Sequence, residues 1–376
     1  MVNVPVQAPA DAFAAEWDAC AGVENPFVTK GFFDALVQSG SAVPAQGWSL
    51  EPLVVRDAAG RVDGIAPVFR KGHSWGEYVF DHAWADAWKR AGGRYYPKVL
   101  LGVPFTPVPG PRLLVRPGAG FQTRDRLIAG IERMVVEARM SSAHATFLEE
   151  PDLAAFKARG WVLRAGFQFH FRNPGYASFD EFLATLQSHR RKDLRRERRL
   201  AQACGLRLRA VRGAAITEHQ WAQFHDLYTA NVDKKWGQAY LTPSFFPRMA
   251  EALGDRVILT VAEDGDQLIA AALHLQGKDA LYGRNWGARR DVPFLHFELC
   301  YYMAIDLAIQ EGLGRVEAGA QGGHKLQRGY LPCPTWSAHF LPDPGFRRAV
   351  QAFCDAEAVE VEAVIAGTSG PFREPV

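Results

Sequence analysis

One stretch of this sequence, met twice, narrows what the chain can fold into more than any other feature. Leu53–Val68 (LVVRDAAGRVDGIAPV) and Leu259–Leu273 (LTVAEDGDQLIAAAL) each run β-prone apolar residues into an acidic turn, at Gly60 and Gly265, and out again. That is the pattern of an antiparallel hairpin. Aromatic runs follow, Tyr78–Phe80 in one case and Tyr282–Trp286 in the other, and predict a third strand. Beyond each lies an amphipathic helix and then a strand: residues 125–139 before Ala143–Leu148, and residues 297–310 before Arg315–Ala318. The copies stand about 200 residues apart, far too long for a solenoid period. The pattern therefore reads as two similar α+β domains in tandem, unless two ordinary hairpins look alike by chance.

A short helix at Asp152–Arg159 and a long strand at Trp161–Phe171 would close the first domain, and Asn173, Pro174 and Gly175 supply a turn there. The expected domains are 1–173 and 174–376. With 376 residues, 48% hydrophobic and 22% charged, the chain has material for both and lies outside the disordered and fibrous classes. A net charge of +2 provides no global attraction to nucleic acid or anionic lipid, so such a partner needs a local patch. One exists. His189–Arg199, inside a helix expected over 178–203, holds seven Lys/Arg and two acids. It reads either as a solvated face laced by i,i+4 pairs or as a contact for phosphate or a tRNA backbone, through Arg190, Arg191 and Arg195. Five scattered cysteines without a C-x-x-C, no leader pattern and no membrane-length apolar run fit a cytoplasmic protein.

No G-x-S-x-G, Walker A, H-E-x-x-H or post-strand G-x-G-x-x-G is present, which argues against serine hydrolases, P-loop enzymes, zincins and dinucleotide-dependent dehydrogenases. The most unusual stretch is 281–334, where glycines and polar residues stand among the aromatics. Gly319, Gly322 and Gly323 after a strand can present amides to an anion, with His324, Lys325 and Arg328 as cations at the same mouth. A mobile solvated loop is the competing reading. His296 and Glu298, two apart at a helix start, diverge by roughly 200° and cannot share a metal, so no metal site is expected. Either could accept a proton, or Glu298 could simply favour the first helical turn. In the first half, Trp84 and Trp88 near several acids could line a cleft or fill a core, and Arg116–Gly120, with Gly118, precedes a helix as phosphate-binding turns do.

Taken together, Gly76–Asp81, Tyr95–Lys98, Val103–Pro107, Lys235–Gly237, Leu295–Glu298 and Glu317–Gly322 followed by His324 and Lys325 resemble the FemAB-like N-acyltransferases labelled peptidoglycan biosynthesis/recognition. More distantly the layout resembles the Fem peptidyltransferases. The resemblance implies two tandem GNAT-like domains, each a central, mostly antiparallel sheet flanked by helices. It implies transfer of an acyl or aminoacyl group, from acyl-CoA or aminoacyl-tRNA, to a primary amine of a muropeptide precursor or another small molecule. Lys325 resembles the lysine beside the acyl carbonyl, and Arg190–Arg199 the cationic helix of the Fem group. Arg116–Gly120 is one residue short of the usual pyrophosphate loop, and the second domain has none. The expected site is then Lys325 with the Gly322 and Gly323 amides on the oxyanion, and Glu298 or His296 as base. Substrate contacts would come from Gln321, His324, Arg328, Tyr282, Arg284, Trp236, Glu77, Asp81 and Lys98. Arg190, Arg191, Arg195, Gly118 and Gly120 would hold donor phosphates. The alternative is a non-catalytic module that binds a muropeptide, an aminoacyl-tRNA or a protein.

Overall fold

Two prolines explain the first departure from a plain hairpin. In this computed structural model, which describes residues 14–234, 237–319 and 322–373, the first hairpin is split where Pro52 and Pro67 stand on its two arms. Neither proline has an N–H to give the ladder. Below the break, β1 (Trp48–Leu50) pairs with β4 (Val68–Lys71). Above it, β2 (Leu53–Arg56) and β3 (Val62–Ala66) bend away and take up β6 (Leu114–Val115) as a separate small sheet.

The chain forms two compact units, one made of residues up to Phe167 with Pro334–Ala366, the other of Gln168–Cys333 with Gly367 onward. In the first, β4 pairs antiparallel with β5 (Lys98–Leu101), and β5 pairs parallel with β7 (Ala143–Leu148). Helices α1 (Ala14–Ala21), α2 (Lys30–Gln38), α3 (His82–Arg90), α4 (Gly120–Glu137) and α5 (Glu150–Ala158) flank the strands. Leu127, Ile128, Ile131 and Val135 make one stripe of α4, each at most 1% exposed, and seat it on the core. Tyr78–Phe80, expected as a strand, is instead part of the loop leading to α3. Tyr78 takes φ 59° and the segment has no strand partner, while β5 is the third strand of this sheet.

The second unit repeats the order. β9 (Arg207–Arg212) pairs with β10 (Val257–Asp264), β10 with β11 (Gln267–Gln276), and β11 with β12 (Ala280–Ala288), all antiparallel; β12 then runs parallel to β13 (Arg315–Glu317). Around them lie α6 (Phe179–Thr185), α7 (Ser188–Gln202), α8 (Glu218–Asp233) and α9 (Phe245–Leu253). A further helix starts as α10 (Leu295–Phe297), widens into a π turn at Glu298–Tyr302 and continues as α11 (Met303–Gln310). The single helix expected over 178–203 is two helices. Gln187 donates its N–H to Pro371 O, and Leu186 forms a β-bridge with Phe372, so the backbone is extended between α6 and α7.

The strand that completes each unit comes from the other half of the sequence. β8 (Val162–Arg172), expected to close the first domain, pairs through His170–Arg172 with β13 of the second unit. Beside β7 in the first unit lies instead Trp336–Phe340 of β14 (Tyr330–Phe340), followed by α12 (Pro344–Gly367), whose Phe346, Val350 and Cys354 pack with Trp84 and Tyr95. A single cut at 173 therefore does not describe the units.

Candidate functional site

In the second unit β12 and β13 stay together for three residue pairs, from Ala280 with Arg315 to Tyr282 with Glu317, and then β13 ends while β12 runs on to Ala288. The register against β11 shifts over the same stretch, so that Arg284 and Asn285 ride on a bulge. Bulges re-aim side chains and are frequent beside active sites. At this opening Trp286 packs on His296 at 5.0 Å, His296 faces His324 at 5.9 Å, and Tyr301 Oη lies 2.9 Å from His324 Nε2.

Gly322 adopts φ 119°, and a Cβ there would come within 2.7 Å of the His324 ring, so both backbone and ring demand glycine. The segment then turns into a short 3-10 helix, Gly323–Arg328. Lys325, 1% exposed, donates from Nζ to Gly319 O at 2.8 Å, and loss of hydration pulls its pKa down to about 8. Burial, with Arg328 and Lys325 nearby, also holds the His324 imidazole below the usual histidine range. Beneath the strands, Glu317 takes a bond from Arg315 Nε at 2.9 Å. Its Oε2 has no hydrogen-bond partner and lies 3.8 Å from His170 Nε2.

Arg328 has a different place from the one expected. Its guanidinium donates to Glu197 Oε1 and Oε2 (2.9 and 2.8 Å), to His324 O (2.7 Å) and from Nε to Tyr302 Oη (3.1 Å), and it lies 3.4 Å over Phe297. With its donors taken, it fastens the 3-10 helix to α7 rather than offering charge to a ligand. Glu298 also parts from the mouth: Arg198 and Gln202 donate to its Oε1, whereas His296 turns to Trp286 and His324. Burial raises the Glu298 carboxyl above the usual range. The π turn separates them further, and Thr260 Oγ1 donates to the Leu299 carbonyl it displaces, at 2.9 Å. Tyr282, 3% exposed, belongs to the floor. Trp236 and Gln321 lie outside the described residues.

On α7, Arg190 reaches Gln327 Oε1 at 3.3 Å, Arg195 pairs with Asp180, and Arg191 is half-buried. Lys192, Arg196 and Arg199 stand exposed at i, i+4 and i+7, without an ion-pair partner among the described residues. In the first unit, Gly118 sits in a turn closed by Ala119 N to Arg116 O, and Gly120 opens α4. Arg116 Nε is given to Val62 O at 2.7 Å, so its guanidinium leans on β3.

Glu77, Asp81 and Lys98 do come together, but inside the first unit. Lys98, with no exposed side-chain surface, donates to Ser74 Oγ (2.8 Å), Glu77 Oε2 (2.8 Å) and Asp81 Oδ2 (2.5 Å). Tyr95 Oη also donates to Asp81 and approaches His144, whose Nδ1 meets His339 Nδ1 at 2.7 Å. Directly across the strand pair, Lys71 lies 3.3 Å over the Trp48 ring, and burial brings its pKa down to about 7. Sequence reasoning did not name Tyr301, His170, Ser74 or His144, although Tyr301 lies in the unusual stretch 281–334.

Each unit sets one parallel strand pair, β5 with β7 and β12 with β13, into an otherwise antiparallel sheet flanked by helices, a tandem GNAT-like fold. The chain belongs to the FemAB-like family, described as peptidoglycan biosynthesis/recognition, whose model matches residues 10–374. No curated protein matches it by sequence. Among solved structures, the C-terminal domain of a putative lysylphosphatidylglycerol synthetase from Agrobacterium fabrum aligns with a TM-score of 0.56 at 9% identity, over 96% of this chain and 100% of that one. FemX aligns with a TM-score of 0.53 at 10% identity, over 93% and 100%. L-PGS from Bacillus licheniformis gives 0.51 at 6%, over 90% and 97%. These likenesses concern the fold. Among the described residues no group of three or more His, Cys, Asp or Glu is placed to hold a metal ion, and no helix is long and apolar enough to cross a membrane.

Proposed function

We propose that the second unit transfers an acyl or aminoacyl group to a primary amine of a peptidoglycan or lipid precursor. The family supports this, and the observation that carries it is a desolvated lysine and a neutral imidazole at the parting of β12 and β13. The amine nitrogen attacks the acyl carbonyl, the carbonyl π pair moves to oxygen, and the Lys325 ammonium with the Gly322 and Gly323 amides receives that oxyanion. His324 takes the ammonium proton: in the tautomer that donates Nε2–H to Tyr301, Nδ1 keeps its lone pair. Collapse expels the donor's oxygen or sulfur and leaves the amide. Lys325 is 1% exposed at rest, so its ammonium has to be uncovered before it meets the carbonyl.

For the donor, the exposed stripe Lys192, Arg196 and Arg199 supports aminoacyl-tRNA, and the engagement of Arg116 with Val62 argues against a diphosphate at the Gly118 turn. The test incubates the full chain with charged tRNA or acyl-CoA and a muropeptide or aminolipid amine, with product followed by mass spectrometry. Transfer from charged tRNA is expected, and replacing all three stripe cations by alanine should weaken it and flatten its salt dependence. Product from acyl-CoA alone would overturn the donor assignment, and saturable binding without product would overturn catalysis. Lys325→Ala should lower kcat/KM by about 10²-fold without unfolding the chain. Because the folded Lys325 loses its proton near pH 8, the rate should fall as pH rises through about 8, and Lys325→Arg should carry that limb upward.

A further inference from the structure

We propose that the second unit holds a separate site for a small alkylammonium ligand, in the cleft between α7, α11 and β9. The cleft encloses about 500 Å3. At its polar end is Glu298, whose side chain is 2% exposed. Both groups that donate to this carboxylate, Arg198 Nε at 3.3 Å and Gln202 Nε2 at 3.1 Å, reach Oε1. Oε2 is buried and has no hydrogen-bond partner. A buried carboxylate oxygen left bare is costly, and an ammonium that parts the side chains over Oε2 supplies the N–H it lacks.

The sign of the ligand follows from the neighbours. Arg198 also bonds Asp306 and lies 4.3 Å over Phe179, so its charge is already matched, and the cleft sets two carboxylates against one guanidinium. An anion would meet that excess, whereas an ammonium answers both the charge and the missing donor. Leu206, Leu208, Met303 and Leu307 line the remainder and give a short alkyl chain an apolar wall. This is not the mouth of the transfer reaction. The π turn directs Glu298 to the cleft, while His296 before it and Tyr301 within it turn to His324.

Isothermal titration of the full chain with n-hexylammonium chloride tests the site, with n-hexanol and hexanoate as controls. Saturable binding of one equivalent of the ammonium is expected, weakened about tenfold or more by Glu298→Gln. Ala210→Trp provides a second variant: this exposed residue of β9 lines the cleft, so an indole there should block it and leave Glu298 in place. Absence of saturation in the wild type overturns the proposal. Undiminished affinity in folded Ala210→Trp, or equal binding of hexanol, overturns it as well.

Discussion

Burial alone would pull the Lys98 ammonium toward neutrality, but Glu77 and Asp81 outweigh it and hold its pKa above the usual lysine value. Removing the cation leaves two carboxylates in the core. Lys98→Met should cost about 3–5 kcal/mol at neutral pH, read by urea denaturation. Glu77, lifted to about 7 by burial even with Lys98 present, sets the direction with pH. An acid whose folded pKa lies above its unfolded value loses stability as pH rises through the folded value, so the variant should recover part of the loss at pH 5. An equal loss at pH 5 and pH 8 would rule out the charged cluster. The sequence marked these three residues as a group through Gly76–Asp81 and Tyr95–Lys98, yet read Tyr78–Phe80 as a strand because its aromatics favour one. What no local pattern discloses is that this loop exists to carry two carboxylates to a lysine 21 and 17 positions downstream.

At the scale of elements, the 3-10 helix Gly323–Arg328 keeps its place through one guanidinium. Arg328→Lys keeps the charge and loses the paired bonds to Glu197 and the bond to Tyr302. Amide hydrogen exchange over 323–328 should quicken by about tenfold or more, and kcat should fall more than KM rises; unchanged exchange would show that the helix is held by packing alone. The elements themselves were largely legible: Ala143–Leu148 is the strand expected after the helix over 125–139, and that helix is α4, begun five residues earlier. The π turn was not, because widening a helix by one residue leaves its apolar spacing nearly intact; its mark is the Leu299 carbonyl taken by Thr260. Nor was the break between α6 and α7, which is made by Pro371 and Phe372 from the far end of the chain.

For the molecule as a whole, the repeat visible in the sequence corresponds to a repeated strand order, but pattern alone could not show that each unit borrows its completing strand. Pairing partners are chosen by burial and register, not by nearness in sequence. Expressed alone, residues 1–173 lack Trp336–Phe340 beside β7, and residues 174–376 lack His170–Arg172 beside β13. Each fragment then presents a bare strand edge and should aggregate, whereas co-expression should yield a soluble complex that co-purifies through a tag on one fragment. A 1–173 fragment that unfolds cooperatively at the midpoint of the intact protein would contradict this. During synthesis the arrangement imposes a wait. The opening half leaves the ribosome first, yet its sheet has a gap until β14 follows, so nascent chains must be shielded until that strand has been made.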